Sequence, residues 1–281
     1  RGAGVMKAKH HILPTILFSL LSIAWMFPVF TVLMNSFKKK AYINREPFAL
    51  PTAKTFVGLE NYTEGLRKTH FFGAFGYSLF ITIASVVVIL LCTAMCAWYI
   101  SRVPNTFTRG VYLLCLFAMV VPFQMVMYPL SKITDILHLG NPIGIVLVYL
   151  GFGAGLAVFM FTGFMRGVPI EVEEAAMIDG CNPVQTFFRV VLPMLKPTLI
   201  SVAILETMWI WNDYLLPVLV LDQKKYKTIP MVIQYLRGGY GSIDWGAMMA
   251  MLVFAIVPII VFYIACQKYI IKGVAAGAVK G

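Results

Sequence analysis

Glu206, Trp209 and Asp213 recur at i, i+3 and i+7, a spacing that puts two carboxyl groups and an indole on one face of a helix. Asn212 and Tyr214 lie beside them, so the set combines planar polar groups with aromatic faces, the two kinds of group that hold a sugar ring. The run is apolar, and Glu206 lies about 14 Å in from Pro197, near the middle of a hydrocarbon core about 30 Å thick. An ionisable side chain at that depth costs about 2.5–3.5 kcal/mol on insertion scales, so this face is expected to line a cavity or meet a partner. The plainer role for Asn212 and Asp213 is hydrogen bonding to neighbouring helices. Gln124, beside Pro122 in another apolar run, is a further polar group expected on a path through the membrane.

The second concentration of chemistry is EVEEAAMIDGCNPVQTFFRVVLPMLKP, from Glu171 to Pro197. A helix is expected to start at Pro169, with Glu171, Glu173 and Glu174 favoured by the positive end of its dipole. Val172, Ala175, Ala176 and Asp179 then share one face, and the alanines permit close approach to a partner. Gly180 suits the left-handed residue that ends such a helix, and Asn182 with Pro183 starts another at once. In that second helix Val184, Phe187, Phe188 and Val191 form an apolar stripe, with Gln185, Thr186 and Arg189 facing away. A linker lying in the headgroups usually presents Lys and Arg to lipid. Here the first half carries four acids and no base, which points to docking on a protein. No His accompanies the carboxylates, so neither a metal site nor an acid–base site is expected.

These segments must be positioned by spans. The chain has 281 residues, 60% of them hydrophobic and 12% charged, with a mean hydropathy of +0.83. Soluble domains carry about 25% charged residues, so this is an all-α integral membrane protein. Six windows reach the roughly 20 residues needed to cross a bilayer: 11–36, 75–101, 109–130, 142–165, 197–221 and 245–267. The first is too long for a signal peptide and is followed by no small-x-small cleavage site, so it is read as a helix. One domain carries the whole chain, with loops over 37–74 and 222–244 on one side and a tail over 268–281 on the other. Six spans leave both termini on the same side. Eleven Lys and Arg flank the spans on that side and twelve on the other, so charge bias does not orient the chain. The net charge of +11 lies in short runs beside apolar segments rather than in a stripe, which argues for lipid headgroups and against nucleic acid. The five cysteines lack a Cys-x-x-Cys pair and read as small buried hydrophobes.

Chemistry of other kinds finds no residues to rest on. No phosphate loop, G-x-S-x-G elbow or HExxH occurs, so neither enzyme activity nor a cofactor or metal is expected. GFGAG at Gly151–Gly155 reads as small-residue helix packing. An ion-coupled secondary transporter using Glu206 and Asp213 is the competing function, but it implies internal repeats and broken helices, and neither is evident.

Glu174-Ala175-Ala176, three residues, Gly180, nine residues, then Val190-Val191-Leu192-Pro193 resembles the E-A-A, x3, G, x9, I-x-L-P signature of binding-protein-dependent ABC importer permeases, with Val190 for isoleucine. "GVPIEVEEAAMIDG", "WIWNDYLLPVLVL" and the tail "AAGAVKG" are similar to the carbohydrate permeases of MalG-like, maltose/oligosaccharide type, and the likeness covers nearly the whole chain. The resemblance implies a type I ABC importer permease fold with six transmembrane helices in a bacterial inner membrane, both termini cytoplasmic. It implies that 169–193 is a cytoplasmic coupling segment whose Glu174, Ala175, Ala176, Asp179, Gly180, Leu192 and Pro193 meet an ATPase. The tail from Ala275 would reach between ATPase subunits, and the loop near Arg237–Gly241 would face an extracytoplasmic sugar-binding protein. The implied partners are a second permease subunit in a heterodimer, an ATPase dimer and that binding protein, and the implied cargo is a di- or oligosaccharide passing Glu206, Trp209, Asn212, Asp213, Tyr214 and Gln124.

Overall fold

Short polar interruptions divide the apolar chain into helices, and the computed structural model describes residues 2–236 and 243–278, with side chains over 12–236 and 243–269. The glycine-rich loop tip at 237–242 and the residues 279–281 lie outside the described residues, as do the side chains of the tail. Helices α1 (Gly2–Asn35), α2 (Lys40–Arg45), α3 (Glu60–Thr69) and α4 (Phe71–Arg102) precede α5 (Thr106–Val120), α6 (Phe123–Ile136) and α7 (Pro142–Met165). There follow α8 (Glu171–Ile178), α9 (Pro183–Thr186), a π turn (Phe187–Val191), α10 (Leu192–Met194) and α11 (Lys196–Asn212). The last three are α12 (Leu215–Val220), α13 (Ile229–Tyr235) and α14 (Trp245–Ala278). Among the described residues no strand forms.

Four helices are long and apolar enough to cross a bilayer: Ile12–Asn35, Phe71–Arg102, Pro142–Met165 and Trp245–Tyr269. They occupy the first, second, fourth and sixth expected windows. The other two windows are broken, which corrects the reading that broken helices are not evident. Between α5 and α6 the chain bends by 110°, at Val121 (φ −70°, ψ 118°). Val121 precedes Pro122, whose ring pushes its neighbour into the extended region. Just before the fifth window the chain bends by 77° between α10 and α11, and inside the window α11 stops at Asn212, with Asp213 extended at φ −73°, ψ 124°. If each bent pair is one span, the total is six.

The chain divides into two compact units. The first holds residues up to Phe71 and Ile233–Pro258. Its centre is aromatic: Tyr62 lies 5.3 Å from both Phe37 and Phe254, ring centre to ring centre, and shares a 2.7 Å hydrogen bond with Ser36. Asn61 donates to the carbonyls of Ser36 and Lys38, tying α3 to the end of α1. Lys38, counted above among the flanking charges, is in fact buried, with its Nζ donating to the Glu46 carbonyl at 2.9 Å.

Lys68 closes this unit by donating to Asp244 at 2.6 Å and Glu64 at 2.8 Å. Partial burial acts to raise the Asp244 carboxyl, but the Lys68 hydrogen bond, the Ala247 amide and the charges of Lys68 and Lys40 outweigh it, so it titrates below the ordinary range. A carboxyl depressed on folding adds stability above its unfolded value of about 3.9, and that stability is lost as pH falls through the lower folded value. The pair is partly exposed, so the contribution is at most about 1 kcal/mol. The parent chain is expected to lose melting temperature more steeply than Asp244→Asn as pH falls from about 5 to 3. Parallel curves for the two proteins would remove this role.

The second unit, Phe72–Val232 with Ile259–Gly281, holds the functional segments. α4 and α7 are its centre, burying 39% and 50% of their most apolar windows within the chain. Ile81, Ile89, Ala94 and Ala97 of α4 join Tyr149, Ala157, Phe161 and Met165 of α7 in one core, which continues through Phe187, Val191, Leu195 and Val202. GFGAG behaves as small-residue packing at two of its three glycines. A Cβ at Gly155 would stand 2.8 Å from the Cys115 carbonyl of α5, and one at Gly153 would stand 2.7 Å from Ile89, whereas Gly151 faces open space. The cysteines are less buried than expected: all are free, Cys92 is exposed and the others are half-buried.

Candidate functional site

The polar segment folds as two short helical pieces, as its caps require. α8 ends in a Schellman closure, with Gly180 at φ +90°. The Cys181 amide donates to Ala176 and the Gly180 amide to Met177, both at 3.0 Å, which satisfies carbonyls at the helix end. Asn182 then opens α9 with a reciprocal pair: its side chain accepts from the Gln185 amide at 2.9 Å, and the Gln185 side chain accepts from the Asn182 amide at 3.0 Å. α8 starts two residues later than expected, at Glu171, because the turn closes on the Ile170 carbonyl, which accepts from Glu173 and Glu174.

The stripe after α9 also differs. Thr186, Phe187 and Val191 are buried, and Val184 and Phe188 are exposed. The cause is the π turn, in which the Leu192 amide reaches back five residues to Phe187. Pro193 has no amide to give to Arg189 and its ring crowds that carbonyl, so the helix widens one turn earlier. The extra residue rotates the inward face onto 187, 191 and 195.

α8 is held by its inner face. Glu173 is 3% exposed, and Ala176 turns inward beside it. Arg102, the last residue of α4, donates from Nε and Nη2 to Glu173 Oε1 at 2.9 and 2.7 Å, and from Nη2 to the Val168 carbonyl at 2.9 Å. Trp98, one turn earlier, donates from its indole to Glu173 Oε2 at 2.8 Å, while its ring lies 5.5 Å from Phe187. One carboxylate thus joins α8 to α4, and one indole joins both to the π turn. The outer face leaves Glu174, Ala175, Ile178, Asp179 and Gly180 exposed; Pro193 is exposed and Leu192 half-buried. The family spacing points to Glu174, and it does not mark Glu173, Arg102 or Trp98. The i, i+3 relation of Glu173 to Ala176 is compatible with a shared inner face but does not choose Glu173 over Glu174.

The fifth-span residues separate into two groups. Glu206 points inward, 2% exposed, and its Oε2 has no hydrogen-bond partner among the described residues. Gly153 makes room for it, since a Cβ there would lie 3.0 Å from that oxygen. Asp213 is engaged on both oxygens: Oδ2 accepts from the buried Tyr149 hydroxyl at 3.1 Å, and Oδ1 from the Leu215 and Leu216 amides at 2.9 and 3.3 Å. Asp213 therefore caps α12 and bridges to α7. Trp209 packs edge-on against Tyr149, with ring centres 5.5 Å apart, yet stays partly exposed, as do Asn212 and Tyr214. Gln124, also exposed, stands in the first turn of α6 and takes no part in this cluster. Its neighbour Phe123 packs on Phe152 of α7. Among the described residues no group of His, Cys, Asp or Glu suits a metal ion.

Residues 90–276 match the family described as "Binding-protein-dependent transport system inner membrane component". The chain is 37% identical over 266 residues to "Probable starch degradation products transport system permease protein AmyC" of Thermoanaerobacterium thermosulfurigenes, covering 95% of this chain and 96% of that one. It is 30% identical over 269 residues to the arabinooligosaccharides transport system permease protein AraQ of Bacillus subtilis, covering 95% of each. In fold it is similar to a chain of a bacterial ABC transporter involved in import of the acidic polysaccharide alginate, with a TM-score of 0.76 at 21% identity, covering 94% of this chain and 97% of that one.

Proposed function

Because this chain belongs to the family of binding-protein-dependent transport system inner membrane components, we propose that it is the permease subunit of an ATP-driven importer for a di- or oligosaccharide. It is a multi-pass membrane protein with the all-α fold of type I ABC importer permeases. The cargo arrives from an extracytoplasmic sugar-binding protein and leaves into the cytoplasm, where both termini lie. A second permease completes the path, and ATP is hydrolysed on a separate ATPase dimer.

The observation that carries this reading is the two-sidedness of α8. Its inner face is fastened to α4 through Glu173, while Glu174, Ala175, Asp179 and Gly180 remain on the outside. A helix fastened on one side and bare on the other suits transmission, so α8 is the coupling helix. Ala176 seats it, and Leu192 and Pro193 carry its movement past the π turn towards α11. On the path itself, Trp209 and Tyr214 offer aromatic faces and Asn212 an amide at the break after α11. Glu206 and Asp213 position that break from inside, and Gln124 stands at the other broken span.

Two variants test the coupling role. Gly180→Pro forbids the positive φ and removes the amide that closes α8, and Glu174→Lys reverses a charge on the outer face. Both are expected to insert and to bind the ATPase while uptake of labelled oligosaccharide falls roughly 5- to 150-fold, the span of a coupling energy of about 1–3 kcal/mol. Unchanged uptake in both, with the ATPase still bound, would remove the coupling assignment.

A further inference from the structure

At the end of α4 and α7 that carries α8, the loop into α5 borders an open cavity of about 540 Å³. Arg102, Arg109 and Arg166 line it, together with Asn105, Tyr112 and Thr162, and no Asp or Glu does. Arg102 is occupied by Glu173, but Arg109 and Arg166 form no ion pair among the described residues. α5 also begins at this cavity, directing the positive end of its dipole into the same space. Thr162 contributes to the wall and is otherwise buried, 5% exposed. Two exposed, unpaired arginines and a helix start meet at one open cleft whose lining carries no acid, and an anion answers both.

The size narrows the anion. A volume of about 540 Å³ lies within the 300–1,000 Å³ range of small-molecule pockets and exceeds the need of a bare phosphate ion. Guanidinium groups bind phosphate oxygens in pairs, and basic pockets between spans hold the headgroups of anionic lipids. We propose that this cavity is a binding site for a phosphate-bearing anion, its charge held by Arg109 and Arg166, with Asn105 and Tyr112 contacting the organic substituent. The assignment rests on the cavity alone and stands apart from the transport reading. Since Arg102 both lines the cavity and holds Glu173, a bound anion sits one side chain away from α8.

The test uses the full-length chain in neutral detergent, with melting temperature read against short-chain phosphatidylglycerol, short-chain phosphatidylcholine and inorganic phosphate. Phosphatidylglycerol is expected to raise the melting temperature above phosphatidylcholine. Arg109→Gln/Arg166→Gln is expected to weaken its apparent affinity at least about tenfold, while Arg109→Lys/Arg166→Lys retains part of the effect. A rise with inorganic phosphate as large as with phosphatidylglycerol supports the site and assigns it to a free phosphate compound, and a rise with the lipid alone assigns it to a headgroup. Should the double Gln variant fail to fold, a weaker apparent affinity in Arg166→Gln alone is the expected result, and parental affinity there counts against the site. The proposal is overturned if neither phosphate probe exceeds phosphatidylcholine, or if the double Gln variant responds as the parent does.

Discussion

Gly155→Leu is expected to lower the melting temperature of the purified chain sharply, and to cut the yield of folded protein, while Gly151→Leu four residues earlier is tolerated. The contrast follows from what each position faces. At Gly155 even a Cβ would stand 2.8 Å from the Cys115 carbonyl, a backbone atom of α5 that no rotamer change can move aside. Relief requires α5 and α7 to separate, undoing close contact in a setting where helices associate through van der Waals packing rather than a hydrophobic drive. Overpacking costs about 1–3 kcal/mol where side chains can adjust, and more is expected where the obstacle is backbone. Gly153 is intermediate, because its obstacles, Ile89 and Glu206, are side-chain ends. Nothing lies within 4 Å of a Cβ at Gly151. Equal losses for Gly151→Leu and Gly155→Leu would mean that the glycines set helix flexibility rather than helix distance.

The long apolar helices and the caps were legible because their causes are local. Asn182 with Gln185 three residues on, and Gly180 after a run of helix formers, specify their own hydrogen bonds whatever surrounds them. The bend at Val121 was half legible, since Pro122 marks it, but the 110° angle depends on what α6 packs against. The break at Asn212–Asp213 has no Gly or Pro at its centre. Its signal was an aspartate two residues before Leu215, able to cap a new helix, and the apolar run around it masked that option. The choice between Glu173 and Glu174 could not be read locally: they are adjacent and alike, and burial fell to the one that meets Arg102, 71 residues away in the chain. The orphan oxygen of Glu206 has the same character, since depth announces that a buried carboxyl is special but only the fold names its neighbours.

Arg102→Ala is expected to be the most damaging change near α8, and the reason separates two roles that a single variant confuses. Glu173 has a side chain 4% exposed and Arg102 one 18% exposed, so removing the arginine leaves a carboxylate out of water with only the Trp98 indole as donor. Breaking such a pair from one side costs about 3–5 kcal/mol. Glu173→Gln should cost less, because an amide oxygen still accepts from Arg102. Replacing both partners, as in Arg102→Met/Glu173→Leu, removes the stranded charge, and apolar substitution of a buried pair is often neutral for stability. The melting temperature of the double variant is therefore expected to return close to that of the parent. Uptake is not: without the two Arg102 hydrogen bonds to Glu173 Oε1 and the Trp98 hydrogen bond to Oε2, α8 can move without drawing the end of α4 with it. Oligosaccharide uptake should stay depressed while ATP hydrolysed per sugar rises. Recovery of uptake in step with the melting temperature would reduce the pair to a structural contact. Recovery of stability alone would make Glu173 and Arg102 the linkage between a docked helix and the spans it moves.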